Sequence, residues 1–131
     1  MMRIPAACAI VAAFIASGCG ASSGILGLGG GGGGATPANQ VTVGNFFFQS
    51  THNSSSDPAV DTVSVGSTVT WSWGETGTQH SVQSTGAPSF ASSSLISTSG
   101  TVYTVTFSTA GTYNYDCSVH TTAMTGSILV K

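Results

Sequence analysis

A thiol, an imidazole and a thioether lie within eight residues of one another near the C-terminal end of the sequence. They belong to Cys117, His120 and Met124. This combination suits copper, because a trigonal electron-transfer copper site uses a thiolate, imidazole nitrogens and a weak, long thioether bond. Zinc and iron rarely recruit a methionine. The segment therefore predicts a copper site.

The residues before Cys117 predict the strand that carries it. Tyr113, Tyr115 and Cys117 alternate with polar side chains at positions 112, 114 and 116. This period of two is typical of a strand with one buried face. The thiol therefore ends the inward face of the strand, and the loop that follows can bring His120 and Met124 back over the same metal.

A trigonal site needs a second imidazole from another part of the chain, because one short loop cannot surround a metal alone. His80 is the candidate, since it lies where a glycine-containing loop ends and a short strand is predicted to begin. Such a position can hold a ligand rigidly. His52 lies in the polar segment 51–56 without a partner, and we predict that it is an exposed loop residue.

With these flanks, the chain resembles a cupredoxin of the plastocyanin, pseudoazurin and amicyanin group. The shared pattern is Gly-Thr-Tyr-x-Tyr-x-Cys-x-x-His at 111–120, then Met-x-Gly at 124–126 and a final hydrophobic strand. The resemblance covers roughly residues 40–131. It implies one type 1 copper, cycling between Cu(I) and Cu(II), and an electron carrier with no enzymatic activity. The four ligands that it implies are His80, Cys117, His120 and Met124.

Three positions depart from the family pattern. The interval from His120 to Met124 holds one residue fewer than in most plastocyanins and one more than in amicyanins, so the axial distance does not carry over. Val119 replaces the usual proline and restores a backbone N–H, which either reaches the Cys117 sulfur or faces water. Asp116 stands where many plastocyanins have a surface tyrosine, so the remote electron route associated with that tyrosine is not implied here.

Short runs of alternating apolar residues predict an all-β domain. Val69, Trp71 and Trp73, for example, alternate with threonine and serine. About ninety residues are enough for one sandwich core. We predict a Greek-key, cupredoxin-like β-sandwich of about seven or eight strands without helices, in which the serine-rich segment 84–99 is a crossing connection. The predicted strands are 40–47, 62–65, 68–73, 80–83, 101–107, 112–116 and 127–131.

The N-terminal region predicts export. Arg3 precedes an apolar stretch of about ten residues, which is too short to span a bilayer but suits a signal peptide. Residues 16–19, Ala-Ser-Gly-Cys, resemble the bacterial lipoprotein box, in which the cysteine is lipidated; the alternative is an ordinary secretory signal with an incidental cysteine. We predict a lipoprotein-type signal peptide at 1–18, a lipidated Cys19 with a flexible Gly-rich tether at 19–38, and the cupredoxin domain at 39–131.

Charge and cysteine content exclude one class of function and bear on how the protein would bind a partner and a metal. The chain has 2 basic and 4 acidic side chains and a net charge of −2. Nucleic-acid binding is excluded, because it requires clustered Lys or Arg. So few charges give only weak long-range electrostatic attraction of a partner. We therefore expect a redox protein partner to recognise an apolar patch. Cys117 is the single cysteine of the predicted domain, so it has no disulfide partner there and its thiol is available to metal.

These observations favour an exported blue copper protein that shuttles single electrons between redox partners. We expect a monomer in the bacterial cell envelope, either anchored in the membrane by lipid and facing the periplasm, or secreted or periplasmic if Cys19 is not lipidated. One alternative is a copper-binding or copper-delivery protein, which would hand over its metal readily. The other is a metal-free immunoglobulin-like structural domain, in which all four predicted ligands could be replaced without loss of function.

Overall fold

Residues 39–131 are described by a computed structural model, and they form eight β-strands in two four-stranded sheets. Residues 1–38 lie outside the described part, so the signal peptide, the lipidated Cys19 and the tether stay predictions. The strands are β1 (Gln40–Gly44), β2 (Phe47–Ser50), β3 (Ala59–Val63), β4 (Thr68–Trp73), β5 (Gln83–Thr85), β6 (Val102–Thr106), β7 (Gly111–Cys117) and β8 (Thr121–Val130).

Both sheets are mixed. The first has the order β2-β1-β4-β6, and the second has the order β3-β8-β7-β5. β1 pairs in parallel with β4, and β3 pairs in parallel with β8, while the other neighbours are antiparallel. The described residues contain no helix. The prediction of an all-β sandwich with seven or eight strands is confirmed.

The core is built from alternate residues of the central strands, as the period-two pattern predicted. On β4 the buried residues are Val69, Trp71 and Trp73, and on β7 the buried face ends at Cys117. The rings of Trp71 and Tyr115 meet edge to face, with centroids 5.3 Å apart, and so join the two sheets. Burying an aromatic side chain of this kind contributes about 1.5–3 kcal/mol, with a further 0.5–1.5 kcal/mol or so from such a ring pair.

Gly126 makes room for this ring packing. It lies opposite Tyr115 in the β7–β8 ladder, and a Cβ atom built on it would overlap the Tyr115 ring. A side chain at position 126 would therefore push the phenol out of the core. This close approach gives a physical reason for the glycine that follows Met124 in the sequence.

Two predicted strands in the N-terminal half of the domain differ from the observed ones. The predicted strand 40–47 is a hairpin, in which β1 and β2 pair Gly44 with Phe47 across the turn residues Asn45 and Phe46. Three consecutive phenylalanines at 46–48 continue the apolar pattern through this turn, so the pattern did not mark it. The strand predicted at 62–65 is β3, which begins and ends earlier because its pairing with β8 runs from Ala59 to Val63.

The strands around the predicted ligands also differ in their bounds. β8 is ten residues long and begins at Thr121, whereas only its apolar end at 127–131 was predicted. Strand pairing with β7 extends it over the polar residues, where alternation gives no signal. The strand predicted at 80–83 is displaced to β5, and His80 instead pairs singly with Ile96.

Candidate metal centre

Cys117 and His120 are brought together by a tight turn at the end of β7. The β7–β8 ladder has a register shift between Asp116 and Cys117, after which Cys117 lies opposite Thr121. The His120 N–H donates to the Cys117 carbonyl at 3.1 Å, which closes the turn. A shift of this kind re-aims a side chain at the end of a strand. The imidazole is thereby returned to the thiol within three residues, as predicted.

His80 comes from a separate segment and is fixed by its backbone. Its N–H donates to the Ile96 carbonyl, and the Ile96 N–H donates to the His80 carbonyl, both at 2.9 Å. The side chain is buried, with 3% exposure. The backbone of His80 is thus held by the serine-rich connection rather than by the strand predicted at 80–83.

The donor atoms of these three residues converge. The Cys117 Sγ lies 3.4 Å from the His120 Nδ1 and 3.9 Å from the His80 Nδ1. All three potential ligand atoms lie within 4.8 Å of one another. With zinc bond lengths as a guide, a sulfur and a nitrogen bound to one metal at about 120° lie roughly 3.7 Å apart. One metal ion can therefore bridge the three atoms with little movement.

The electrostatic environment favours the metal-binding form of His80. Burial, followed by the neighbouring His120, lowers the pKa of His80 below its ordinary value, and Glu75 opposes this shift. A neutral imidazole is the form that coordinates metal. At neutral pH the buried ring is thus ready to bind without first losing a proton.

Two serines tie the separate ligand segments together. Ser81 follows His80, and Ser118 follows Cys117. The Ser118 N–H donates to the Ser81 Oγ at 3.0 Å, and the two hydroxyl oxygens are 2.8 Å apart and share a hydrogen bond. Sequence reasoning missed this tie, although each serine lies directly after a predicted ligand. It joins the backbones that carry His80 and Cys117.

Met124 lies on a strand rather than in the predicted loop, whereas His52 is exposed as predicted. Met124 is on β8 and is fully buried, whereas His52 is exposed in a turn after β2. The Val119 N–H does not donate to the Cys117 sulfur, whose polar contacts within residues 39–131 are with the two Nδ1 atoms. The Val119 side chain is 53% exposed. The surface alternative is therefore the one observed for Val119.

Phe46 is a further residue at this site that the sequence did not reveal. Its ring packs edge-on against the His120 ring, with centroids 4.7 Å apart, and against the His80 ring at 6.0 Å. The ring itself is 53% exposed. The only available signal was its place between two strands, and that turn was not predicted.

Comparison with known proteins agrees with this geometry. Residues 49–131 match the sequence model of the copper binding proteins of the plastocyanin/azurin family. The chain belongs to this family. In this cupredoxin, His80, Cys117, His120 and Met124 are arranged as a type 1 copper site, and copper is the cofactor. The predicted family and cofactor are confirmed.

Solved structures of cupredoxins are similar to this chain. A purple cupredoxin from Nitrosopumilus maritimus is 24% identical, with 70% of this chain and 98% of that chain covered and a TM-score of 0.55. An oxidised variant of amicyanin is 27% identical, with 74% and 85% covered and a TM-score of 0.55. A second oxidised amicyanin variant is 25% identical, with 76% and 88% covered and the same TM-score of 0.55. No curated protein gave a match. The predicted cupredoxin-like fold is confirmed.

Cupredoxins are generally electron carriers of the periplasm or the extracellular space, and the chain shares their copper-site residues. Within residues 39–131, no helix has the length and hydropathy of a membrane span.

Proposed function

We propose that this cupredoxin is an exported blue copper protein that shuttles single electrons between redox protein partners. The observation that carries the proposal is the convergence of one thiol sulfur and two imidazole Nδ1 atoms from two separate segments. Copper bound there would supply a one-electron Cu(I)/Cu(II) couple.

Each of the four residues has a distinct part in this proposal. His80 and His120 would hold the metal through Nδ1, and Cys117 would hold it as a thiolate. Met124 would supply a weak thioether donor, which tunes the potential of such sites. The paired backbone of His80 and the closed turn at His120 hold these groups in one arrangement. Little reorganisation then accompanies the gain or loss of an electron.

Electrons would enter and leave at the His120 side of the site. His120 is half-buried, whereas His80 and Cys117 are buried. Two exposed apolar side chains adjoin His120. Val119 precedes it in the sequence, and the Phe46 ring packs against its imidazole. A redox partner would dock here through apolar contact, because the low charge of the chain gives weak steering.

We further propose that the protein is a monomer held in the bacterial cell envelope. Cys19 would carry the lipid, and residues 20–38 would act as a flexible tether that leaves the domain facing the periplasm. The motif at 16–19 supports this proposal. Without lipidation, the same leader would yield a secreted or periplasmic form.

A visible absorption spectrum of the purified chain with added Cu(II) tests the copper function. We expect the intense thiolate-to-copper band of a blue site, because Cys117 is the soft anionic donor of the cluster. Cys117→Ser should abolish the band and leave the β-sheet circular dichroism unchanged. A colourless wild-type protein with copper shown to be bound would overturn the electron-transfer proposal.

Copper retention separates the shuttle from the copper-delivery alternative. A shuttle keeps its metal through repeated reduction and oxidation in the presence of a competing chelator. A delivery protein loses copper to the chelator in its reduced or its oxidised form. The metal-free immunoglobulin-like alternative does not account for the family match or for the converging donor atoms.

A further inference from the structure

Phe46 has a backbone conformation that its side chain does not favour. It is the second residue of the β1–β2 turn and has a φ of +66°. In this left-handed region a bulky residue is a true outlier, and glycine is the usual choice. Such strain persists where the surroundings fix it, and it clusters at functional sites. Local turn chemistry therefore does not explain why a phenylalanine occupies this position.

Burial in the core does not explain it either. The Phe46 side chain is 53% exposed, whereas Phe48, two residues later on β2, is fully buried. The contacts of the Phe46 ring are instead with the site. Its plane is 77° from that of His120 and 89° from that of His80, an edge-to-face arrangement in both cases. The strained backbone thus directs an exposed ring at both imidazoles.

Within residues 39–131, the second ring nitrogen of each imidazole has no hydrogen bond to the protein. Metal-binding histidines usually donate their second N–H to a carboxylate, a carbonyl or water. The buried His80 Nε2 has no hydrogen-bond partner. The side chain of His120 makes its hydrogen bond within residues 39–131 only to the Cys117 sulfur, through Nδ1. Apart from the contacts of both rings with the Cys117 sulfur, packing against Phe46 is therefore a contact that orients both imidazoles.

We propose that Phe46 is a positioning residue of the copper centre. Its ring holds the planes of His120 and His80 in the geometry that directs both Nδ1 atoms at the Cys117 sulfur, and it covers the His120 side of the centre against water. This role rests on the proposed copper function, because Phe46 acts through the two histidines. It extends that function by assigning copper retention to a residue outside the ligand set.

The direction of the effects follows from charge. An oxidised centre with one thiolate and two neutral imidazoles carries one more positive charge than the reduced centre. A dry, low-dielectric surrounding favours the less charged, reduced form. Removing the ring admits water, so it should lower the reduction potential and speed the loss of copper.

Phe46→Gly tests the proposal, because it removes the ring and also relieves the positive φ. In the full copper-loaded chain, we expect copper transfer to a chelator to be about 10- to 100-fold faster and the reduction potential to fall. The midpoint of thermal unfolding of the metal-free chain should stay the same or rise, since glycine suits this backbone. Phe46→Tyr keeps the ring and should retain copper as the wild type does.

Ser54→Gly is the matched control. Ser54 also has a positive φ, of 61°, but it is exposed between β2 and β3 and is not among the ring contacts of His80 and His120. The Ser54→Gly variant should leave the rate of copper transfer and the reduction potential unchanged. A wild-type rate of copper loss in Phe46→Gly would overturn the proposal. So would faster loss accompanied by a matching fall in the stability of the metal-free chain, because Phe46 would then be merely structural.

A separate measurement keeps the inference distinct from the copper function itself. If the wild-type chain binds no copper, the proposed function fails, but the imidazole resonances of metal-free His80 and His120 still report on Phe46. The proposal requires these resonances to shift or broaden in Phe46→Gly and to stay unchanged in Ser54→Gly. Unchanged resonances in Phe46→Gly would overturn the positioning role.

Discussion

Replacing Ser81 with alanine should loosen the copper centre without touching a metal ligand. The Ser81 hydroxyl accepts from the Ser118 N–H at 3.0 Å and shares a hydrogen bond with the Ser118 hydroxyl at 2.8 Å. Each such bond contributes about 0.5–1.5 kcal/mol net. Because Ser118 is exposed, its freed N–H can bind water. The loss of stability should therefore be smaller than the upper limit for two hydrogen bonds, about 3 kcal/mol. We expect Ser81→Ala to lower the free energy of unfolding by about 1–2 kcal/mol.

The larger effect should be on copper affinity. The tie joins the segments that carry His80 and Cys117, and partners of this kind change metal affinity by about 10- to 100-fold. Copper affinity is measured by competition with a chelator of known affinity, and stability by urea unfolding of the metal-free chain. Ser118→Ala is the control, because it removes the hydroxyl pair but keeps the Ser118 N–H donor.

We expect Ser118→Ala to have about half the stability loss of Ser81→Ala and a smaller change in copper affinity. An unchanged copper affinity in Ser81→Ala, despite the loss of stability, would show that the tie does not hold the ligands. Equal effects in the two variants would show that the hydrogen bond from the Ser118 N–H to the Ser81 Oγ is not the main connection between the two ligand segments.

Three further predictions address packing, pH and anchoring. Gly126→Ala should destabilise the fold by about 1–3 kcal/mol, because the added Cβ overlaps the Tyr115 ring; an unchanged urea midpoint would contradict that packing. Since burial lowers the pKa of His80 below 6.5, the unfolded chain binds more protons, so the metal-free protein should lose stability as the pH falls below about 6.5. His80→Gln should flatten this dependence in urea titrations between pH 4.5 and 7.5, and an equally steep profile would assign it elsewhere. Cys19→Ser should abolish globomycin-sensitive processing and lipid labelling, and labelling that persists would reject the lipoprotein motif.

Chemistry that is local in the sequence was the most predictable. Cys117, His120 and Met124 lie within eight residues, at the end of β7, in the turn that follows and on β8, so spacing and donor type were enough to predict a copper site there. His80 was found through the requirement for a second imidazole, because the chain has few histidines to choose from. The alternation on β4 and β7 likewise predicted the buried faces, since one inward face is a local property of a strand.

Contacts between distant residues were not predictable in this way. Ser81 and Ser118 are 37 positions apart, and nothing in the sequence indicates that these two serines form a hydrogen bond. Phe46 follows an asparagine at a turn, but the phenylalanines that come next hid the turn in an apolar run. The contact between Phe46 and His120 depends on how the β1–β2 turn packs against the turn after β7, and only tertiary packing determines that.

The parallel pairing of β3 with β8 has a consequence for how the molecule is made. The strands of the first sheet all precede residue 107, so that sheet can assemble while the chain is still growing. β3 has β8 as its only neighbour in its sheet and must wait for the last strand described. The Tyr115 ring that packs on Trp71 from the second sheet also comes after residue 107, and long-range pairing of this kind is slow and prone to aggregation. Cys117 and His120 also follow residue 107, so the three donor atoms cannot meet until every strand of the first sheet has been made.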